Sequence, residues 1–331
     1  MNQLELVMCR LAVSWFLITA ISQAWVWPLL IGTLLYVQST TLTIAFLLYL
    51  YYVVVGPGSK DDANCKWKPT FRKWHIWKVM ASYFPGARLI KTADLDPAGR
   101  YIFVSHPHGV IAISDWLAFA TEALGFSKLF PGLDLRCATL ASNFWVPGLR
   151  EYILSHGMCG VGRDTLARVL TGKPGRAVVL VVGGASEALL AAEGTYDLVL
   201  RNRKGFVRLA LQTGASLVPV LSYGETDTFH TYIPPPCSRA AAVMKVLKQV
   251  FGFSTPLCWG TGLFGGWGML ALQVPLTVVV GAPIQVDKVS SPTEAEVAAL
   301  HKTYTEALQK LWDDTVDKYG KGVKRPLAIV Q

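Results

Sequence analysis

The sequence predicts an α/β domain built on a mostly parallel sheet flanked by helices and preceded by an N-terminal transmembrane hairpin. Three observations carry the prediction. Between Arg10 and Lys60 no charged residue occurs across 49 positions. From Gly99 onward, short β-branched runs alternate with stretches of helical character. Those runs are continuously apolar, the pattern of strands buried on both faces of a parallel sheet.

The charge-free span holds LAVSWFLITAISQAWVWPLLIGTLLYV and TLTIAFLLYLYYVVV, parted by the polar break Gln38-Ser39-Thr40-Thr41. A bilayer crossing takes about 20 such residues, so residues 1–59 fit two spans or one re-entrant hairpin. A soluble hairpin buried by the rest of the chain is the competing reading, but two helices apolar on every side need more covering domain than the chain supplies. Few positive charges precede the apolar stretch, which is longer than a signal-peptide core, so a retained anchor is expected. Residues 60–82 follow, in which Lys60, Lys66, Lys68, Arg72, Lys73 and Lys78 alternate with Trp67, Trp74 and Trp77. Basic residues flank the cytosolic side of spans and tryptophans favour the interface, which places both ends of the hairpin in the cytosol.

The composition agrees. Its 331 residues suffice for one domain of ordinary size and an accessory segment. Hydrophobic residues make up 52% and charged residues 16%, more apolar than a typical water-soluble domain, so part of the surface is expected to meet lipid. The net charge of +9 favours anionic lipid headgroups or a phosphorylated cofactor as partners. No nucleic acid is expected, because no basic-aromatic recognition motif appears. The six cysteines are scattered without a CxxC pair and read as reduced thiols.

Within residues 83–331, taken as the catalytic domain, YIFVS (101–105), LRCATL (135–140), AVVLVV (177–182), SLVPVLSY (216–223) and LTVVVG (276–281) read as strands. Helices are expected near 110–124, 143–157, 163–171, 203–213 and 239–251. The closing helix opens on Ser291-Pro292-Thr293-Glu294, read as a capping box with proline at the first helical position, and Gly320 stands where a C-terminal cap belongs. Its apolar stripe is Val297, Leu300, Tyr304, Leu308 and Leu311. A second charge-free run, Gln249 to Val286, is interrupted by Gly260, Gly262, Gly265, Gly266 and Gly268 and by Pro256 and Pro275. It reads as an irregular lipid-facing loop followed by a strand, with a third span as the lesser alternative.

His106-Pro107-His108-Gly109 follows directly on YIFVS, so two imidazoles stand at the carboxyl end of a strand. Sites in α/β sheets gather there. Histidine takes a proton near neutral pH, and the Gly109 amide near a helix start is placed to hold an oxyanion. Read alone, the pair fits a base, a metal site or a structural role. A metal needs further ligands, and only His75, His156, His230 and His301 remain, without HExxH or a cysteine cluster, so no metal is expected.

Six ordered blocks then resemble the diacylglycerol acyltransferase type 2 family, which includes monoacylglycerol and wax-alcohol acyltransferases. They are Tyr83-Phe84-Pro85, His106-Pro107-His108-Gly109, Pro147-Gly148-Leu149-Arg150-Glu151, Gly183-Gly184-Ala185-Ser186-Glu187, RKGFVRLALQTGASLVPVLSYGE (203–225) and Val280-Gly281-Ala282-Pro283-Ile284. The resemblance implies a glycerolipid-acyltransferase-like sheet. It also implies an acyl-CoA-dependent O-acyltransferase of the endoplasmic reticulum membrane, with its catalytic domain in the cytosol and the lipid droplet surface as a further location. Acyl-CoA serves as co-substrate rather than resident cofactor, diacylglycerol is the first-ranked acceptor, and membrane lipids surround the protein. Monoacylglycerol, a long-chain alcohol and, more remotely, metal-dependent lipid hydrolysis are the alternatives. A homo-oligomer stays open.

His108 is the expected base with His106 in support. Many glycerolipid acyltransferases carry an aspartate five residues after the histidine, but positions 111 and 113 are both Ile. Asp115 is the nearest acid, and Glu187 is the preferred partner, against a plain role at a helix N-terminus. From Leu198 to Gly224 there is no acid, while Arg201, Arg203, Lys204 and Arg208 supply positive charge. Arg203, Lys204 and Arg208, with Arg150, are the candidates for the CoA phosphates.

Overall fold

The computed structural model describes residues 2–64, 69–235, 237–251 and 256–330. The expectations placed on Cys65, Lys66, Trp67 and Lys68 lie outside the described residues, as do those on 252–255.

The strands are β1 (Arg88–Lys91), β2 (Tyr101–His106), β3 (Asp134–Thr139), β4 (Cys159–Gly160), β5 (Arg176–Leu180), β6 (Asp197–Leu198), β7 (Ser216–Tyr223), β8 (His230–Tyr232), β9 (Leu257–Thr261), β10 (Trp267–Gly268), β11 (Thr277–Val280) and β12 (Ala328–Ile329). Seven form one sheet in the order β1-β11-β7-β2-β5-β3-β4. From β7 to β4 all neighbours run parallel, while β11 lies antiparallel to β7 and pairs in parallel with β1. The largely parallel sheet is therefore as expected.

The principal helices are α1 (Gln3–Ala20), α2 (Gln23–Val37), α3 (Thr40–Val54), α4 (His75–Tyr83), α5 (Leu149–Ser155), α6 (Arg163–Thr171), α7 (Gly184–Ala188), α8 (Gly205–Thr213), α9 (Arg239–Phe251) and α10 (Glu294–Tyr319). Side chains alternate across β2. Ile102 and Val104 join the core formed with α6, α8 and α10, whereas Tyr101 and Phe103 face a second core around Phe119, Phe126 and Phe130. The same alternation sends His106 toward α10 and Ser105 toward the opposite layer.

Several expectations need correction. The helix expected near 110–124 is a short turn at Ile113–Asp115 followed by a π-helical turn at Trp116–Ala120. The one expected over 143–157 is split, because Pro147-Gly148 interrupts it and Gly148 takes φ of 80°. In α10 the cap lies at Thr293, whose hydroxyl accepts from the Glu296 amide while the Glu296 carboxylate accepts from the Thr293 amide. Pro292 thus precedes the cap, since the same Ser/Thr-x-x-Glu spacing recurs at Thr293.

The N-terminal region forms three helices, with the break at Gln38 as expected: that residue is left-handed and Ser39 caps α3. Two stretches, Gln3–Ala20 and Thr40–Ala63, are long and apolar enough to cross a membrane by length and composition. Yet α1 is no free span. It packs on α4 and buries Cys9, Ala12, Val13 and Phe16 in a cluster with Trp77, Met80, Tyr83 and Val110. Residues 1–59 are therefore partly continuous with the domain behind them. Trp77, expected at the interface, is buried and donates its indole N–H to the Phe71 carbonyl (2.6 Å).

The Gln249–Val286 run is also more ordered than expected. β9 pairs with β8 and β10 in a small antiparallel sheet, and Arg10 of α1 donates to the Leu263 carbonyl near its tip (2.9 Å). Phe264 and Trp267 remain 86% and 75% exposed there.

Candidate active site

His106 and His108 end and follow β2, the strand held between β5 and β7 at the centre of the sheet. His106 is wholly buried and its Nε2 lies 3.1 Å from the Tyr304 hydroxyl. That hydroxyl donates to the Val104 carbonyl (3.3 Å), so it accepts from His106 Nε2–H and leaves Nδ1 with its lone pair. His106 Nδ1 has no partner among the described residues.

His108 is only half-buried. Its Nδ1 lies 3.1 Å from the Gly109 carbonyl, and because a carbonyl can only accept, the proton sits on Nδ1 and the Nε2 lone pair is left free. Burial lowers both imidazoles below the ordinary histidine value, His106 to about 3. Both are therefore neutral near pH 7.

Gly109 takes φ of 58°, and a Cβ there would sit 2.6 Å from Glu225 Cγ, so both backbone and space require glycine. Its amide stands in the turn that leads into the Ile113–Asp115 helix, and no described residue accepts its N–H. Ala112 is also left-handed, with φ of 51°, a strain of about 1 kcal/mol in the loop that carries the histidines.

Three buried acids surround this loop. Asp115 accepts from the Ser105 hydroxyl (2.6 Å) and burial pushes it up to about 7. Glu225 accepts the Ile113 and Ser114 amides (3.0 and 2.7 Å) and burial pushes it up to about 8. Glu187, on α7 after β5, is likewise raised to about 8 by burial, against the opposing field of Arg203.

Glu187 thus reaches the cluster, but not as the expected imidazole partner. Its carboxyl folds back over Gly183 and faces the His108 backbone N–H, which opposes the effect of burial, and not an imidazole nitrogen. Neither imidazole is bonded to a carboxylate; His106 rests on a tyrosine instead. In the sequence Tyr304 stands out only as part of a packing stripe, and Glu225 only as the end of the SYGE segment. Their partners are remote in sequence, and no local pattern links them.

The basic residues divide. Arg203 and Lys204 are exposed at the start of α8, and Arg203 donates to Ser186 of the Gly183–Glu187 turn (3.1 Å), which brings it to the rim of the histidine cluster. Arg208 is committed to Glu294 on the surface (2.6 Å). Arg150 does not join the site. It is buried, bonded to Asp61 (2.6 Å), Glu151 (2.9 Å) and the Gly58 carbonyl (3.0 Å), and lies over the Tyr52 ring. There it fastens the end of α3 to α5. Among the described residues no group of His, Cys, Asp and Glu is arranged to hold a metal.

The family model for diacylglycerol acyltransferase matches residues 33–329. Diacylglycerol O-acyltransferase 2 of Xenopus tropicalis is 39% identical over 304 residues, covering 90% of this chain and 83% of that protein. The Homo sapiens protein of the same name is 39% identical over 87% of this chain and 74% of its own length. Homo sapiens 2-acylglycerol O-acyltransferase 3 is 40% identical over 88% and 85%. The crystal structure of a Thermotoga maritima 1-acyl-sn-glycerophosphate acyltransferase aligns over 95% of this chain at 10% identity and a TM-score of 0.45, a likeness too slight to bear weight.

Proposed function

The chain belongs to the diacylglycerol acyltransferase family, and from that premise we propose that it moves a fatty acyl group from acyl-CoA onto the free hydroxyl of diacylglycerol, forming triacylglycerol. The observation that carries the reaction is the half-buried, neutral His108, with its Nε2 lone pair free at the carboxyl end of the central strand. In this reading Nε2 takes the proton of the acceptor hydroxyl as its oxygen attacks the thioester carbonyl. The Gly109 amide receives the developing oxyanion. The C–S bond then breaks, and the thiolate leaves with the proton from the imidazolium. No covalent acyl-enzyme is needed.

The same proposal assigns Arg203 and Lys204 to the CoA phosphates and gives the sheet the glycerolipid-acyltransferase arrangement. Arg208 contributes once its Glu294 pair opens. It also places the protein in the endoplasmic reticulum membrane with the catalytic domain in the cytosol, and at lipid droplet surfaces. Support for the membrane comes from the apolar side chains exposed on α1, α2 and α3 and from Phe264 and Trp267 beside α1.

A 2-acylglycerol reading has its own observation, the 40% identity to an enzyme named for that acceptor. An assay of the purified full chain with labelled acyl-CoA against diacylglycerol, 2-monoacylglycerol and a long-chain alcohol decides between them. Triacylglycerol as the dominant product is expected. Preference for either other acceptor would overturn the acceptor assignment, and equal transfer from a phospholipid without CoA would overturn the donor.

A further inference from the structure

A second cluster of charge lies at the opposite end of the sheet. Arg72, Lys73, Trp74 and Lys78 from one segment, with Glu122 and Lys128 from another, line a cleft of about 360 Å³. That volume is at the lower end of small-ligand sites. Arg72 is nearly buried and anchors the floor, donating to Glu122 (3.0 Å) and the Leu135 carbonyl (3.3 Å). The single carboxylate is fully occupied, because Glu122 also accepts from the Ser127 hydroxyl (2.7 Å) and amide (3.1 Å). The ammonium groups of Lys73, Lys78 and Lys128 have no ion-pair partner among the described residues. Three unpaired cations around an open cleft form a site for a multiply charged anion.

Position separates this cleft from the reacting groups. Leu135 pairs with Ala177, which pairs with Tyr101 at the start of β2, so along the strands the Leu135 carbonyl on the cleft floor lies about 16 Å from the level of His106. It sits instead beside α4, which carries Lys78 outward and packs against α1 on its other face. The exposed Trp74 indole on its rim stacks on Phe71, the amphipathic arrangement suited to a headgroup layer.

We infer that this cleft binds the phosphomonoester headgroup of an anionic membrane lipid, as a defined site distinct from the donor site. Lys73, Lys78 and Lys128 grip the phosphate oxygens while the Arg72–Glu122 pair fixes the floor, and Trp74 lies against the glycerol. The inference concerns binding alone and stands independently of which acceptor is acylated.

The test is a titration of the detergent-solubilised full chain with dioctanoyl phosphatidic acid, read by native mass spectrometry. The parent is expected to retain one lipid. The exposed triple variant Lys73→Gln, Lys78→Gln, Lys128→Gln should bind it roughly tenfold or more weakly, and the triple Lys→Arg variant should bind as the parent does. Dioctanoyl phosphatidylcholine should not displace it. Unchanged binding in the glutamine variant would sink the site. Displacement by inorganic phosphate at matching concentration would make it a phosphate site, and displacement by CoA would make it part of the donor site; either overturns the inference.

Discussion

The two ends of the parallel sheet treat charge in opposite ways. At the amino end Asp134 lies among Arg136 (3.1 Å), Lys173 (3.0 Å) and Arg176 (3.3 Å). Burial would raise it, but those three cations outweigh burial and hold it below the ordinary carboxylate range. At the carboxyl end Asp115, Glu187 and Glu225 are buried with no ion pair among the described residues, and burial raises all three even though Arg203 opposes it at Glu187. The same residue chemistry thus serves cohesion at one end and is pushed toward the protonated form, near two neutral imidazoles, at the other. Buried acids raised beside neutral imidazoles make the carboxyl end the candidate for proton transfer.

The largest expected effect breaks the comparison at its centre. Replacing His108 with Ala should lower acyl transfer by about 10²–10⁴-fold while the protein accumulates and melts like the parent, because the imidazole is half-buried and bonds only its own neighbour. A variant as active as the parent would remove the base assignment, and one that fails to accumulate would make His108 a packing residue. Because burial lowers His108, the acid limb of the parent's pH–rate profile should fall below the ordinary histidine value of about 6.5.

Next in size is Glu187→Gln. Between its unfolded value, about 4.3, and its folded value of about 8, the folded chain keeps a proton that the unfolded chain has released. Stability is therefore fully present below that window and falls as pH rises through it. The glutamine keeps the shape and cannot ionise, so its melting temperature relative to the parent should climb from about pH 5 to about pH 9. No divergence would mean that Glu187 is ionised and solvated, and the contrast between the ends would weaken.

On the rim of the carboxyl end, Arg203→Glu with Lys204→Glu should raise the KM for acyl-CoA well above any change for the neutral acceptor. Both residues are exposed and screened, so each contact is worth about 1 kcal/mol, or roughly fivefold. A fall in turnover with an unmoved KM would assign these residues to the fold. The smallest effect belongs to the amino end. Asp134→Asn should cost about 1 kcal/mol at neutral pH, and because the folded value is depressed, the loss should vanish as acid protonates the parent. Its direction with pH is opposite to that of Glu187, and equilibrium unfolding at two pH values measures both.

The strands were legible because buried parallel strands are runs of Val, Ile and Leu, a signal that is local and complete. SLVPVLSY became β7 without a residue's change, and α6 and α9 took their expected bounds. The histidines were legible for the same reason, since they sit at the end of such a run. Their surroundings were not. Glu225 meets Gly109, and Tyr304 meets His106, only because β7 pairs beside β2 in the sheet and α10 packs against it. Arg150 misled because a guanidinium in a motif reads alike whether it faces a phosphate or a buried carboxylate. α1 misled in another way: apolarity marks the faces of Val13 and Phe16 and of Leu11 and Trp15 equally, yet the first pair is buried and the second exposed.

The hydrogen bond from Arg10 to Leu263 ties two segments 253 residues apart. With Val13 and Phe16 clustered with Trp77 and Val110, it makes one face of the first helix a structural wall of the enzyme. A foreign helix of equal hydrophobicity would not restore that wall. Truncations that begin at residue 21 therefore report on the integrity of the histidine loop, through Val110, as much as on where the protein resides.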